Sequence, residues 1–130
     1  MSVQYTIVTR KNPNDRTAPA KYYPSAKVSG RSDLVRIANR ISDMSCLSNG
    51  DTLAVLETLL HVIPLELADG RIVELGDFGS LRLILRTTGS VDSKDVNSTS
   101  ILRARAHFRP GKRFRKVLAG LDFQKEAAPD

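Results

Sequence analysis

Residues 101–116 hold the chain's densest chemistry. Arg103, Arg105, Arg109, Lys112, Arg113, Arg115 and Lys116 fall there with no acidic residue among them. Cationic side chains without carboxylate partners are anion binders, and the planar guanidinium fork suits phosphate oxygens. Alternate residues of a strand share a face, so Arg103 and Arg105 point together, with His107 beside them. That pattern implies a polyanion or an acidic protein as the partner. Other chemistries find little support. His61 and His107 stand alone, with no Ser, Cys or carboxylate pattern that would make a catalytic constellation. Asp77-Phe78-Gly79 matches the metal-binding triplet of kinases, but no Gly-rich loop or His-Arg-Asp accompanies it. It reads instead as a tight turn, with Phe78 in the core and Gly76 and Gly79 permitting the bend. No metal-ligand spacing and no phosphate-cradling Gly loop occurs. The sequence therefore predicts a binding protein without cofactor, metal or small-molecule substrate, and not an enzyme.

Charge is uneven along the 130 residues, whose net value is +6. Residues 1–31 carry six cations against Asp15 alone. Residues 32–100 carry six against ten acids. Basic ends around an acidic middle place a polyanion on one face. The length suits one domain with an appendage. Hydrophobic residues make up 41% of the chain but aromatics only 5%, so a monomeric core would be modest and burial against a second copy is plausible. A single cysteine, Cys46, excludes a disulfide framework within one chain and suits a reducing compartment. The opening MSVQYTIVTR lacks an apolar signal core, and no apolar run approaches the roughly 20 residues that cross a bilayer. A cytoplasmic protein with no membrane partner is expected.

The elements that must position the cations follow from periodicity. Residues 1–30 read as a β extension: a strand over 1–9, a turn at Asn12-Pro13-Asn14-Asp15, and an extended, edge-like segment from Thr17 to Val28. Ser32 is expected to cap a helix over 32–44, with Leu34, Ile37, Ala38 and Ile41 at helical spacing. Ser48 caps a second helix that Gly70 ends, with Pro64 inside it as a kink or a break near Ile63. Its wide apolar stripe implies burial on two sides. Strands are predicted at Arg71–Leu75 and Leu81–Arg86 around the Gly76–Gly79 turn. Residues 87–100 are polar and should project. A strand from Ile101 to Phe108 returns, and Pro110 is expected to open a short helix whose Phe114, Val117 and Leu118 face the core. Residues 121–130 are expected to be a frayed tail.

This order of elements resembles the HU/IHF family of bacterial histone-like proteins. The similarity covers residues 32–119, and it is carried by Leu47-Ser48, the long helix to Gly70, Asp77-Phe78-Gly79-Ser80-Leu81, and Phe108-Arg109-Pro110-Gly111-Lys112. Either motif alone is weak; both at this separation are fairly specific. The resemblance implies an α+β fold over residues 31–120: two helices, a three-stranded antiparallel sheet with a projecting β-arm, and a short C-terminal helix. It implies an interlocked homodimer, or a heterodimer with a paralogue, acting in the bacterial nucleoid. Such a dimer binds double-stranded DNA through phosphates and the minor groove and bends it with little base readout. Carried over by position, the saddle cations are Arg82, Arg86, Arg103 and Arg105. Arg109 and the helix cations Lys112, Arg113, Arg115 and Lys116 join them, with Lys94 on the arm.

The arm departs from the family pattern. It lacks the Arg-Asn-Pro tip, has no proline between Pro64 and Pro110, and sets Asp92 and Asp95 against Lys94. Val91 is the only apolar candidate for the wedge that opens a base step. A neutral-to-acidic arm supports an alternative, an HU-fold interaction dimer with weak or lost DNA binding. Residues 1–31 have no counterpart in HU. Arg10, Lys11, Lys21 and Lys27 there extend the basic surface, or the extension covers a sheet edge. Tyr22-Tyr23 either stack on bases or pack on the body.

Overall fold

A computed structural model describes residues 2–126. The chain divides into two units, Ser32–Lys116 and Met1–Arg31 with Val117–Asp130.

The larger unit begins with two helices. α1 (Leu34–Asp43) is capped by Asp33 rather than Ser32: the Asp33 side chain accepts a hydrogen bond from Arg36 N–H at 2.8 Å. A carboxylate at that position satisfies an orphan donor of the first turn. α2 (Asn49–Ala68) is capped as the sequence predicts, with Ser48 Oγ accepting from Asp51 N–H at 3.1 Å. It runs unbroken through Pro64, which cannot donate to the Leu60 carbonyl one turn earlier. Past the helix end, Gly70 N–H donates to the Leu67 carbonyl at 2.9 Å. The two helices pack on each other. Ala38 (2% exposed), Leu67 (7%) and Thr52 form the little that is fully buried, and the Thr52 hydroxyl is satisfied by the Ser48 carbonyl at 2.8 Å. Much of α2 stays uncovered: Val55 (62%), Leu60 (53%) and Leu65 (54%) face solvent.

A three-stranded antiparallel sheet follows, in order β3 (Val73–Glu74), β4 (Gly79–Thr87), β5 (Ile101–Pro110). β3 is shorter than predicted, and β4 starts earlier, at Gly79. Between them Gly76–Phe78 form one 3-10 turn. Gly79 adopts φ +149°, and a Cβ there would lie 2.6 Å from the Arg109 carbonyl oxygen and 2.7 Å from the Phe108 ring. Gly111 is crowded in the same way by the backbone of Asp77 and, at 2.8 Å, by the Gly79 nitrogen. Its N–H donates to the Phe78 carbonyl at 2.8 Å. These contacts let two chain segments cross at backbone distance, which only glycine permits. On the sheet's apolar side Phe78, Phe108 and Phe114 pack ring against ring, with centroids 5.4 to 5.6 Å apart. Tilted and edge-to-face geometries of this kind suit the ring quadrupole.

Two expectations are corrected here. Pro110 does not open the last helix. It closes β5 opposite Gly79, and α3 (Lys112–Ala119) starts after Gly111, whose carbonyl accepts the first helical bond from Arg115 N–H at 3.0 Å. The β4–β5 ladder also stops at Thr87 opposite Ile101, after a register shift that leaves Leu102 as an extra residue. Residues 88–100 therefore form a loop rather than a paired arm. Two 3-10 turns, Ser93–Asp95 and Ser98–Ser100, shape it, and Thr88 N–H closes its base on the Ser100 carbonyl at 2.9 Å.

The smaller unit is a sheet of order β2-β1-β6, from β1 (Ser2–Arg10), β2 (Lys21–Ala26) and β6 (Asp122–Lys125). The antiparallel β1–β2 pair is the expected extension. β6 is not: the C-terminal segment expected as a tail places Asp122–Lys125 parallel to β1, and Lys27 pairs with Glu126. Residues 127–130 of that expected tail lie outside the described residues. Val117 and Leu118, expected in the core, are half exposed, and so is Phe78, whose ring packs on Phe108 and Phe114 but stays open on one side.

Candidate nucleic-acid interface

The register of β4 and β5 decides which side chains share a face. Arg82 lies opposite His107, Ile84 opposite Arg105, Arg86 opposite Arg103, and Ser80 opposite Arg109. One face of the hairpin thus gathers Arg82, Arg86, Arg103, Arg105, His107 and Arg109. The other face holds Leu81, Leu83, Leu85, Ala104, Ala106 and Phe108. The sequence predicted Arg103, Arg105 and His107 together. The family resemblance added Arg82 and Arg86 to them, and the cross-strand register, which periodicity within one strand cannot supply, puts them on this face.

Arg86 and Arg103 are directly paired like charges, an arrangement that destabilises a sheet by itself. Neither has a compensating carboxylate. Among the described residues, the ion pairs are Lys27–Glu126 and Arg71–Glu66, and neither includes a cation of this face. The arginines border two clefts. One, of about 310 Å³, lies among Ile84, Leu85, Arg86, Arg103 and Arg105. The other, of about 320 Å³, brings Arg115 of α3 beside Arg82 and Arg109. Arg82 Nε is shielded there without a hydrogen-bond partner, which leaves one donor unmet. Glu74 stands at the rim of the same cleft, opposite Ser80 in the ladder. The sequence reading missed this acid, because β3 appeared as a strand with no assigned register.

The remaining predicted residues separate from this face. Lys112, Arg113 and Lys116 are exposed on α3. Lys94 lies in the 88–100 loop between Asp92 and Asp95, and its N–H donates to Asp92 Oδ1 at 3.1 Å. Val91 stands fully exposed on the same loop. Pro110 and Gly111 serve the crossing described above rather than the cationic surface. No group of metal-ligating side chains gathers among the described residues. No helix among them is long and apolar enough to cross a membrane.

Comparison with known proteins places this geometry. A family model named HU-HIG, described as an HU domain fused to wHTH, Ig, or glycine-rich motif, matches residues 1–125. The chain belongs to the HU-HIG family. The resemblance to HU-type proteins read from the sequence is thereby borne out. The β1–β2 pair, which has no counterpart in HU, falls inside the HU-HIG match. Among solved structures, the chain is similar to a protein of Bacteroides vulgatus, described with its 2.25 Å crystal structure as a candidate bacterial DNA-binding protein. The match has a TM-score of 0.66 at 12% identity and covers 98% of this chain and 50% of that one. At that identity it shows a shared fold, and this chain spans half the length of its neighbour. No curated protein matches the HU-HIG chain.

Proposed function

We propose that this HU-HIG chain binds double-stranded DNA through phosphate contacts, with little sequence preference, and that it bends the duplex as a dimer in the bacterial nucleoid. The observation that carries this reading is the β4–β5 face: five arginines and His107 on one surface, two arginines directly opposed, and no carboxylate paired to any of them. Repulsion within such a face is relieved when phosphates enter it. Each neutralised phosphate also releases condensed counterions, so binding strengthens as salt falls. Arg82, Arg86, Arg103, Arg105 and Arg109 supply the contacts on the sheet. Arg115 completes the second cleft, and Lys112, Arg113 and Lys116 extend the contact along α3. The role is binding rather than catalysis.

Dimerisation is supported by the apolar surface that one chain leaves open. Val55, Leu60 and Leu65 of α2 and Leu83 and Leu85 of the sheet are uncovered, and patches of this kind mark association surfaces. The partner is an identical chain or a paralogue.

The test of the DNA-binding face is Arg103→Glu combined with Arg105→Glu. Fluorescence anisotropy with labelled duplexes of different sequence should show binding weakened on all of them alike, by roughly tenfold or more, because phosphate contacts are sequence-blind. Unchanged affinity removes the β4–β5 face from the account. One observation favours a second reading, an HU-fold interaction dimer with weak or lost DNA binding: the 88–100 loop carries Asp92 and Asp95 and is tied internally by Asp92 and Asn97. A stable dimer that fails to bind duplex at low salt would select it.

A further inference from the structure

The β1–β2 hairpin end carries a second cation cluster that the β4–β5 face does not use. Arg10 closes β1, Lys21 opens β2, and the register sets them directly opposite each other. Side chains so paired share a face of the sheet, and like charges there are unfavourable. Lys11 follows at once, and Arg16 lies in the connecting loop. No acid offsets them. Asp15 is the only acidic residue among the first 31, and its carboxylate already accepts hydrogen bonds from the Thr17 hydroxyl at 2.6 Å and the Thr17 N–H at 3.1 Å. Among the described residues, none of the four cations enters an ion pair. Arg10, Lys11 and Lys21 also line a cleft of about 460 Å³, walled by the loop and Tyr23.

A like-charge pair beside a cation-lined cleft favours an anion there. We propose that the β1–β2 hairpin end is a second phosphate-binding contact on duplex DNA, additional to the β4–β5 face. This inference rests on the DNA-binding reading above. The contact is blind to sequence, because it reads phosphates alone.

The full chain and a labelled random 30-base-pair duplex, measured by anisotropy at several salt concentrations, provide the test. The variant Arg10→Gln, Lys11→Gln, Lys21→Gln should make the log affinity against log salt slope shallower by about two to three units. Affinity at low salt should fall roughly tenfold or more, by the same phosphate contacts. Lys21→Glu gives a separate signature. It replaces a like-charge pair with an opposite one, so the variant should melt at a higher temperature than the parent while binding DNA more weakly. A lower melting temperature together with weaker binding would assign Lys21 a structural role and overturn the proposal. Unchanged slope and affinity in both variants, with the parent binding DNA, overturn the second contact and leave the β4–β5 reading intact. A parent chain that binds no duplex at all overturns both.

Discussion

Gly111 shows how a single residue holds the site together. The helix that carries Arg115 and the strand that carries Arg109 meet there, and its missing side chain lets the Asp77 and Gly79 backbone pass at contact distance. Gly111→Ala has no flexible neighbour to displace. It should destabilise the fold by about 3 kcal/mol or more, the upper range for overpacking, measured as a lower urea midpoint with an unchanged m-value. A variant as stable as the parent would mean that the crossing is looser than described. The cations act differently. Apart from the half-buried Arg82, they are surface groups whose removal should relieve repulsion, so their loss should cost binding and not stability. The residue types were legible in advance: Arg103, Arg105 and the Arg109–Lys112 segment stood out by their density. Their assembly with Arg82 and Arg86 was implied by the family resemblance and not by periodicity, since opposition across strands is set by register.

The elements differ in how far local chemistry decides them. Ser48→Ala should lower stability by about 1 kcal/mol, the usual worth of an N-cap, seen as a small fall in melting temperature. No fall would mean that Asp51 N–H finds another acceptor. This cap, the long helix to Gly70 and the two-strand extension were legible because each has a local signal. Three features were not. Asp33 displaced Ser32 as the first cap, since both residues carry a suitable acceptor one position apart. Pro110 was drawn into the ladder by pairing with Gly79, which overrode its preference for a helix start. β6 is four residues long, and its partner β1 lies at the opposite end of the sequence, so nothing local announces it. The proposed function assigns bending to the 88–100 loop. Val91→Ser should reduce the bend measured by fluorescence energy transfer across a labelled duplex more than it reduces affinity, because a wedge recoups a few kcal/mol of unstacking. An unchanged bend would exclude Val91 as the wedge.

At the scale of the whole molecule, the exposed surface is the main quantity. α2 leaves Val55, Leu59, Leu60, Val62 and Leu65 exposed. A second chain is the simplest way to cover it. The melting temperature should then rise with protein concentration, since dissociation accompanies unfolding; a melting temperature independent of concentration would contradict an obligate dimer. Charge acts at the same scale. With a net +6 concentrated away from the acidic middle, the molecule is suited to a polyanion. DNA phosphates are the polyanion proposed for it. The most direct measurement is the affinity of the intact protein for a random 30-base-pair duplex across a series of salt concentrations. Submicromolar binding at low salt, falling steeply and linearly on logarithmic axes, is the predicted result. No binding at low salt, from a protein that sediments as a dimer, would contradict it.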